Sequence, residues 1–306
     1  MNCPAYLSLF KNLLKIIGAA MLLMGLQGCG ALRLAYNQSP LATYWYVDGY
    51  LDFNASQRPL VKAALADIHQ WHRQTQLPLY METLEKLQLQ MPKDISTAQA
   101  CTLFTEVQGR LLVTFEGIAG RLQSEGQKEG RGAGMQVLAS LDNAQLAQLQ
   151  KKLTQASATY RQENVEGPPP KLREKRLEQA ISRAESLYGN LTSQQEALLD
   201  ARLEASGFEP EAFYAERLRR QQDLLQTLRN LKPAAAAAAS SNLGGVFARV
   251  AISPDPNYRD YSQKTRLQAC QTFADLHNSM SPEQRLKAAR KLQNYALDLR
   301  ALSVQR

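Results

Sequence analysis

Leu141-Asp142-Asn143-Ala144-Gln145 sets an apolar residue, a capping residue, two others and a glutamine in a row. The same frame recurs at Phe53-Asn54-Ala55-Ser56-Gln57, Ile95-Ser96-Thr97-Ala98-Gln99, Leu191-Thr192-Ser193-Gln194-Gln195 and Met280-Ser281-Pro282-Glu283-Gln284. Each frame reads as a helix start. The Asn, Ser, Asp or Thr side chain accepts a bond from an orphan N–H of the first turn, and glutamine three residues on bonds back to the capping residue, which is a capping box. Pro282 at the first helical position strengthens the last of them. Successive starts lie 42, 46, 50 and 89 residues apart, a loose helical-hairpin rhythm and not a fixed-period solenoid.

Downstream of each start the apolar residues recur with a helical period. After Gln57 the apolar face runs Val61, Ala64, Leu65, Ile68, His72 and Thr75; Pro78 is expected to break or kink it before Leu84, Leu87 and Met91. Cys101, Phe104, Gln108, Leu111 and Phe115 form a second stripe, and Tyr214, Leu218, Gln221, Leu225 and Leu228 a third. Ala288, Leu292, Tyr295, Leu299 and Leu302 alternate four- and three-residue steps, the seam of one helix on another. No run alternates with period two. The expected class is all-α: a single multi-helix domain of eight or nine long amphipathic antiparallel helices. Three stretches punctuate it: Ser124 to Gly134, Glu166 to Pro170, and Lys232 to Gly245 with its six-alanine run. The first two read as inter-helix loops and the third as a weakly specified connector.

The chain has 306 residues, 44% of them hydrophobic and 21% charged, with four cysteines, which excludes a disordered tail, a disulfide-rich mini-protein and a multi-span membrane protein. A net charge of +8 on a cytosolic protein would suggest nucleic acid. The N-terminus redirects it. Lys11 and Lys15 precede an uncharged stretch, Ile16 to Leu26, too short to span a bilayer comfortably, which is the layout of a signal peptide. The stretch ends Leu26-Gln27-Gly28-Cys29, which resembles the bacterial lipobox. That resemblance implies cleavage after Gly28 and acyl chains, palmitate among them, on Cys29, and two or three such chains anchor stably. Gly30 stands where Asp would resemble an inner-membrane retention signal, so the outer membrane is the expected address. The resulting organisation is a signal peptide over 1–28, a lipidated tether over 29–40 and a periplasm-facing helical domain over 41–306.

Without residues 1–28, which hold two lysines and no acid, 278 residues carry +6. Nucleic acid is then no expected partner. Anionic head groups, lipopolysaccharide or an acidic envelope protein take its place, beside the plainer reading of an ordinary soluble surface. Cys3 leaves with the signal segment and Cys29 carries lipid. Cys101 and Cys270 remain as an even pair in an oxidising compartment, each within Gln-Ala-Cys-x-x-Phe, and a disulfide between two helices is expected to close the domain.

Candidate sites are few. His69 and His72, three apart on a helix with Asp67 nearby, have a spacing that can turn two imidazoles toward one metal. His277, seven residues after Cys270, is the third histidine; the stronger expectation is that His72, on the apolar stripe, is a hydrogen-bonded core residue with His69 at its edge. No metal or cofactor is therefore assigned. Asp48 and Asp52 lie one turn apart in an aromatic-rich segment and could pair as acid and base; the plainer expectation is hydrogen bonding to Tyr and Arg partners. The aromatics Tyr36 to Phe53 read as core, with an interfacial belt beside the anchor as the alternative. Gly130 to Gly134 lacks the strand and the Lys-Ser/Thr of a phosphate loop. Lys171 to Arg176 and Arg217 to Arg220, interleaved with Glu174 and Glu216, read as solvated helix faces.

Leu32-Arg33-Leu34-Ala35-Tyr36-Asn37, Tyr44-Trp45, Asp52-Phe53-Asn54, Trp71-His72-Arg73, Tyr214 to Asp223 and Leu276-His277-Asn278, after a lipobox, together resemble an uncharacterised family of proteobacterial outer-membrane lipoproteins. The resemblance spans the mature chain and implies compartment and class, with no activity. Leu191 to Gln195 and Met280 to Gln284 also resemble the LTxxQ element of small helical periplasmic chaperones and metal-stress sensors. The expected function is a non-catalytic envelope lipoprotein, not an enzyme, that binds another envelope protein or component in a chaperone-like or scaffold role. A basic-rimmed apolar groove is the expected binding surface. A metal-responsive sensor using His69 and His72, and a hydrolase using Asp48 and Asp52, are the alternatives.

Overall fold

The computed structural model describes residues 28–123, 132–231 and 236–305. Among them the secondary structure is helical, with no strand. The signal segment and most of the glycine-rich stretch lie outside the described residues. The helices are α1 (Gly28–Leu51), α2 (Gln57–Trp71), α3 (Leu77–Gln90), α4 (Thr97–Gln123), α5 (Ala133–Ala139), α6 (Asn143–Asn164), α7 (Pro169–Tyr188), α8 (Ser193–Glu204), α9 (Pro210–Asn230), α10 (Ala236–Ala251), α11 (Pro256–Asn278) and α12 (Pro282–Ser303).

All five expected capping boxes form. Asp142, Thr192 and Ser281 each accept from the backbone N–H of their glutamine, whose side chain accepts from the capping residue's N–H. Asn54 with Gln57 and Ser96 with Gln99 do the same. Four of these glutamines have a second role. Gln57 and Gln145 exchange reciprocal amide hydrogen bonds of 3.1 and 2.8 Å, and Gln195 and Gln284 exchange bonds of 2.9 and 3.0 Å. Each pair ties two helix N-termini together, and the spare N–H groups donate to backbone carbonyls, those of Leu51 and Asp52 in one pair and Asn190 and Ser279 in the other.

The two pairs mark two hydrophobic cores. The first gathers Tyr44, Phe53, Val61, Met135, Leu146 and Leu228 from α1, α2, α5, α6 and α9. The second gathers Met91, Tyr188, Leu199, Leu276, Ala288 and Leu292 from α3, α7, α8, α11 and α12. A third cluster surrounds the Cys101–Cys270 disulfide, which joins α4 to α11 at a Cα separation of 5.1 Å. Phe104 and Phe273, one turn after each cysteine, meet at 5.6 Å between ring centroids. α12 packs along α3 and also touches α1 and α7.

Several expectations change. Pro78 does not simply break the chain: a π-helical turn over His72–Gln76 absorbs the missing N–H and the ring's clash with the preceding turn, and α3 continues beyond it. The alanine run is helical from Ala236, as the best helix-forming residue favours. α1 runs unbroken across residue 40, through the expected tether, and is fastened to the body there. Arg33 bonds Asp298 at 2.7 Å, and Arg73 donates to Asn37 at 2.6 Å. On α12 the buried seam passes through Ala296, leaving Tyr295 39% exposed.

Candidate functional site

α7 rests on α8 and α12, and α11 on α4 and α8; α7 and α11 meet each other at Tyr188 and His277. Between them lies a cleft of about 750 Å³. One wall is the α7 stripe Leu172, Arg176, Ala180, Ala184 and Leu187, at three- and four-residue steps. The other is the α11 stripe Gln268, Ala269, Thr272, Phe273 and Leu276, and Leu203 and Phe208 close the side along α8. The charged lining is Lys175, Arg176, Arg183 and Arg202 against the single acid Glu163. Arg202 is paired with Asp275, and Lys175 donates to the Glu163 carbonyl at 3.0 Å. Arg176 instead lies over the Phe208 ring, 4.8 Å from its centroid, and its buried Nε has no hydrogen-bond partner among the described residues.

The cleft is closed at the C-terminal ends of its two helices. His277 is 0% exposed, and its Nε2 lies 2.8 Å from the Lys93 carbonyl. A carbonyl only accepts, so Nε2 carries the proton, and Nδ1 accepts from the Tyr188 hydroxyl at 2.9 Å. Burial disfavours both charged forms, holding the imidazole below its ordinary pKa and the phenol above its own. His277 is thus a neutral joint between α7, α11 and the α3–α4 turn. The structure does not bring it to the other histidines. His69 Nε2 donates to the Tyr36 carbonyl at 3.1 Å, and His72 Nδ1 lies 3.0 Å from the Tyr36 hydroxyl. Burial lowers both pKa values. Asp67, expected near a metal, bonds Arg121 at 2.8 Å. Among the described residues no group of three or more His, Cys, Asp or Glu stands close enough to hold a metal ion.

Among the described residues Asp48 and Asp52 show no hydrogen bond to a Tyr or Arg side chain. Asp48 accepts from the Phe53 N–H at 2.9 Å, while Asp52 holds a left-handed φ of 47°, so both shape the turn out of α1. The aromatics around them are not all core. Tyr44 and Phe53 are core, whereas Trp45 is 63% exposed. Trp45 shares an uncharged exposed face with Ala31, Leu34, Ala35, Gln38, Leu41 and Ala42, at helical spacing along α1.

Arg217 to Arg220 are not a solvated face. Glu216 is 4% exposed and accepts from Arg219, Arg220 and Ser253. Burial opposes its ionisation, yet the hydrogen bonds from Arg219, Arg220 and Ser253 and the Arg219 charge carry its pKa below the ordinary glutamate value. Asp223 extends the network to Arg249 at 2.7 and 2.8 Å, fastening α9 to α10. A sequence signal for this existed in Glu216, Arg219, Arg220 and Asp223 at three- and four-residue steps. Its burial depended on Ser253 and Arg249, which a local pattern does not contain.

A family of unknown function, DUF6279, matches residues 49–238, more than half of the sequence. The chain belongs to this family. No curated protein and no solved structure matches it. In this DUF6279 member the family match covers α2 to α9, and so the α7–α8 side of the cleft and Glu216, Arg219, Arg220 and Asp223 of the Glu216 network, but not Arg249 or Ser253. The facing wall on α11 and the partner cysteine Cys270 lie beyond it. The cleft is hidden in the sequence because its walls, about ninety residues apart, belong to stripes that each look like ordinary core.

Proposed function

We propose that this protein is a cell-envelope lipoprotein, anchored in the outer membrane through acyl chains on Cys29, whose helical body faces the periplasm and binds another envelope component without chemistry. The observation that carries the binding role is the α7–α11 cleft. Two amphipathic helix faces diverge there from the Tyr188–His277 contact, mostly apolar toward that end and more basic toward the mouth, as an interaction surface requires and a finished core does not. The residues with acid–base or nucleophilic chemistry support the non-catalytic reading. His69, His277 and Asp48 are bonded to backbone groups, and Cys101 and Cys270 to each other. The uncharged face of α1, which starts two residues after Cys29, supports apposition to a membrane.

Photocrosslinking in living cells tests the proposal. A photoreactive residue in place of Leu187, inside the cleft, is expected to capture a discrete envelope component. The same residue at Glu174, on the outer side of α7, is not, and Arg176→Glu should abolish the Leu187 product. Equal capture from both positions, or none from either, overturns the binding role.

A further inference from the structure

We infer that the α7–α11 cleft takes a single-tailed anionic amphiphile, its acyl chain lying along the cleft and its anionic head at Arg176. The inference rests on the reading of this cleft as the binding site and is independent of lipid on Cys29.

Three observations carry it, and the first is size. The α7 wall from Leu172 to Leu187 is about 22 Å long at the helical rise. A guest helix about 10 Å across would need the two walls to stand a helix diameter apart over that whole length, whereas Tyr188 and His277 hold them together at one end. The space suits one extended chain.

Polarity comes second. Tyr188 and His277 bond at the C-terminal ends of α7 and α11, so the two helices converge there and both walls are read in the same direction. Toward that joint the lining is mostly apolar, with Ala184, Leu187, Phe273 and Leu276 beside Arg183 and the Asp275-paired Arg202; toward the opposite mouth it is Lys175, Arg176, Gln268 and Thr265. The cleft is amphipathic along its length, as a fatty acid is. An extended peptide would bring an N–H and a carbonyl with every residue into the apolar end, where both walls are helices whose own backbone bonds are internal, and each unmet group would cost free energy. An acyl chain carries no such groups.

Charge is the third. Of the four cations in the lining, Arg202 and Lys175 are engaged by Asp275 and Glu163, whereas Arg176 and Arg183 make no ion pair among the described residues. They lie seven residues apart on the cleft face of α7, and Arg176 leaves a buried Nε donor unmet. A planar guanidinium with a free donor suits a carboxylate or phosphate oxygen.

The test uses the full chain in phosphatidylcholine vesicles with a diazirine-bearing palmitate, irradiated and mapped by mass spectrometry. Label is expected within residues 176–187 and 268–276. It should be competed by palmitate or by lysophosphatidylglycerol, and about tenfold less well by uncharged methyl palmitate, the loss of one charge-assisted contact. Whichever acid competes at lower concentration identifies the head group. Arg176→Glu, or Arg176→Gln where the first variant loses helicity or the disulfide, should reduce label in the cleft about tenfold, whereas Arg290→Glu on α12 should not. Label spread evenly over the surface, equal competition by the ester, or unchanged labelling in both Arg176 variants overturns the inference. So does displacement by an apolar decapeptide and not by palmitate, which assigns the cleft to a protein segment. Failure here with capture from Leu187 intact in cells removes the ligand class alone; failure of both removes the site.

Discussion

Gln145 and Gln99 occupy the same place in the same five-residue frame, yet their surroundings differ. Gln99 is exposed and, among the described residues, serves only its own capping box with Ser96. Gln145 is buried, serves its box with Asp142, and also bonds Gln57 and the carbonyls of Leu51 and Asp52. Replacing Gln99 by Leu should therefore cost about 1 kcal/mol, the value of a cap. Gln145→Leu should cost about 3 kcal/mol, because buried carbonyls and an amide lose their partners as well. Denaturant unfolding of the two variants checks the difference, and equal losses would show that the reciprocal pair adds nothing. His277 gives a pH dependence of known sign. Its folded pKa lies below the unfolded value of about 6.5, so the unfolded chain binds the proton first on acidification. Stability should fall as pH drops through about 6.5 toward the folded pKa. Glu216, with a depressed carboxyl pKa, continues the loss at lower pH, as its own folded value is crossed. Melting temperatures of parent and His277→Gln between pH 7 and pH 5 check the histidine part: the variant should start lower and have a shallower slope.

At the scale of elements, α1 shows how far a pattern can be read. Its aromatic density announced one element with two candidate environments, and the core reading holds for Tyr44, at 3% exposure against Lys62, while its neighbour Trp45 is 63% exposed. Trp45→Ser should accordingly change stability by no more than about 0.5 kcal/mol, whereas Tyr44→Ala should cost about 3–5 kcal/mol by cavity formation. If the proposed anchor on Cys29 is present, Trp45→Ser should still weaken vesicle association, which flotation measures. The helix starts were legible because a capping box is local: donor, acceptor and the residues between them fit within five positions. The Gln57–Gln145 and Gln195–Gln284 pairs were not, since each joins two boxes nearly ninety residues apart. The disulfide was legible for another reason, that the expected compartment and parity left Cys101 one partner. Its removal by paired Cys101→Ala and Cys270→Ala substitutions should lower stability by at most about 5 kcal/mol, the chain-entropy bound for so long a loop. Thermal unfolding with and without reductant checks it, and an unaffected melting temperature would mean that Phe104 and Phe273 alone hold α4 to α11.

The whole molecule depends on a helix that lies outside the family match. α12 runs along α3, reaches α1 through the Arg33–Asp298 pair, and contributes Ala288, Leu292, Ala296 and Leu302 to buried positions. It also supplies Gln284, half of the pair that ties its own start to that of α8. Asp298 is 2% exposed, so the Arg33 guanidinium is what makes its burial tolerable; without α1 at that place a buried carboxylate would stand beside α3. The N-terminal helix, the C-terminal helix and α3 therefore stabilise one another, and neither core should persist alone once α12 is gone. A chain ending at Ser281 is expected to lose cooperative unfolding and to be digested rapidly by protease. Leu302→Ala, which removes a fully buried side chain at the far end of the same helix, should cost about 2–5 kcal/mol while leaving a single transition. Calorimetry on the two chains decides. A truncated chain that still melts in one sharp transition would show that the first core, built on Gln57 and Gln145, folds without α12, and that the coupling through Arg33 and Asp298 only positions α1.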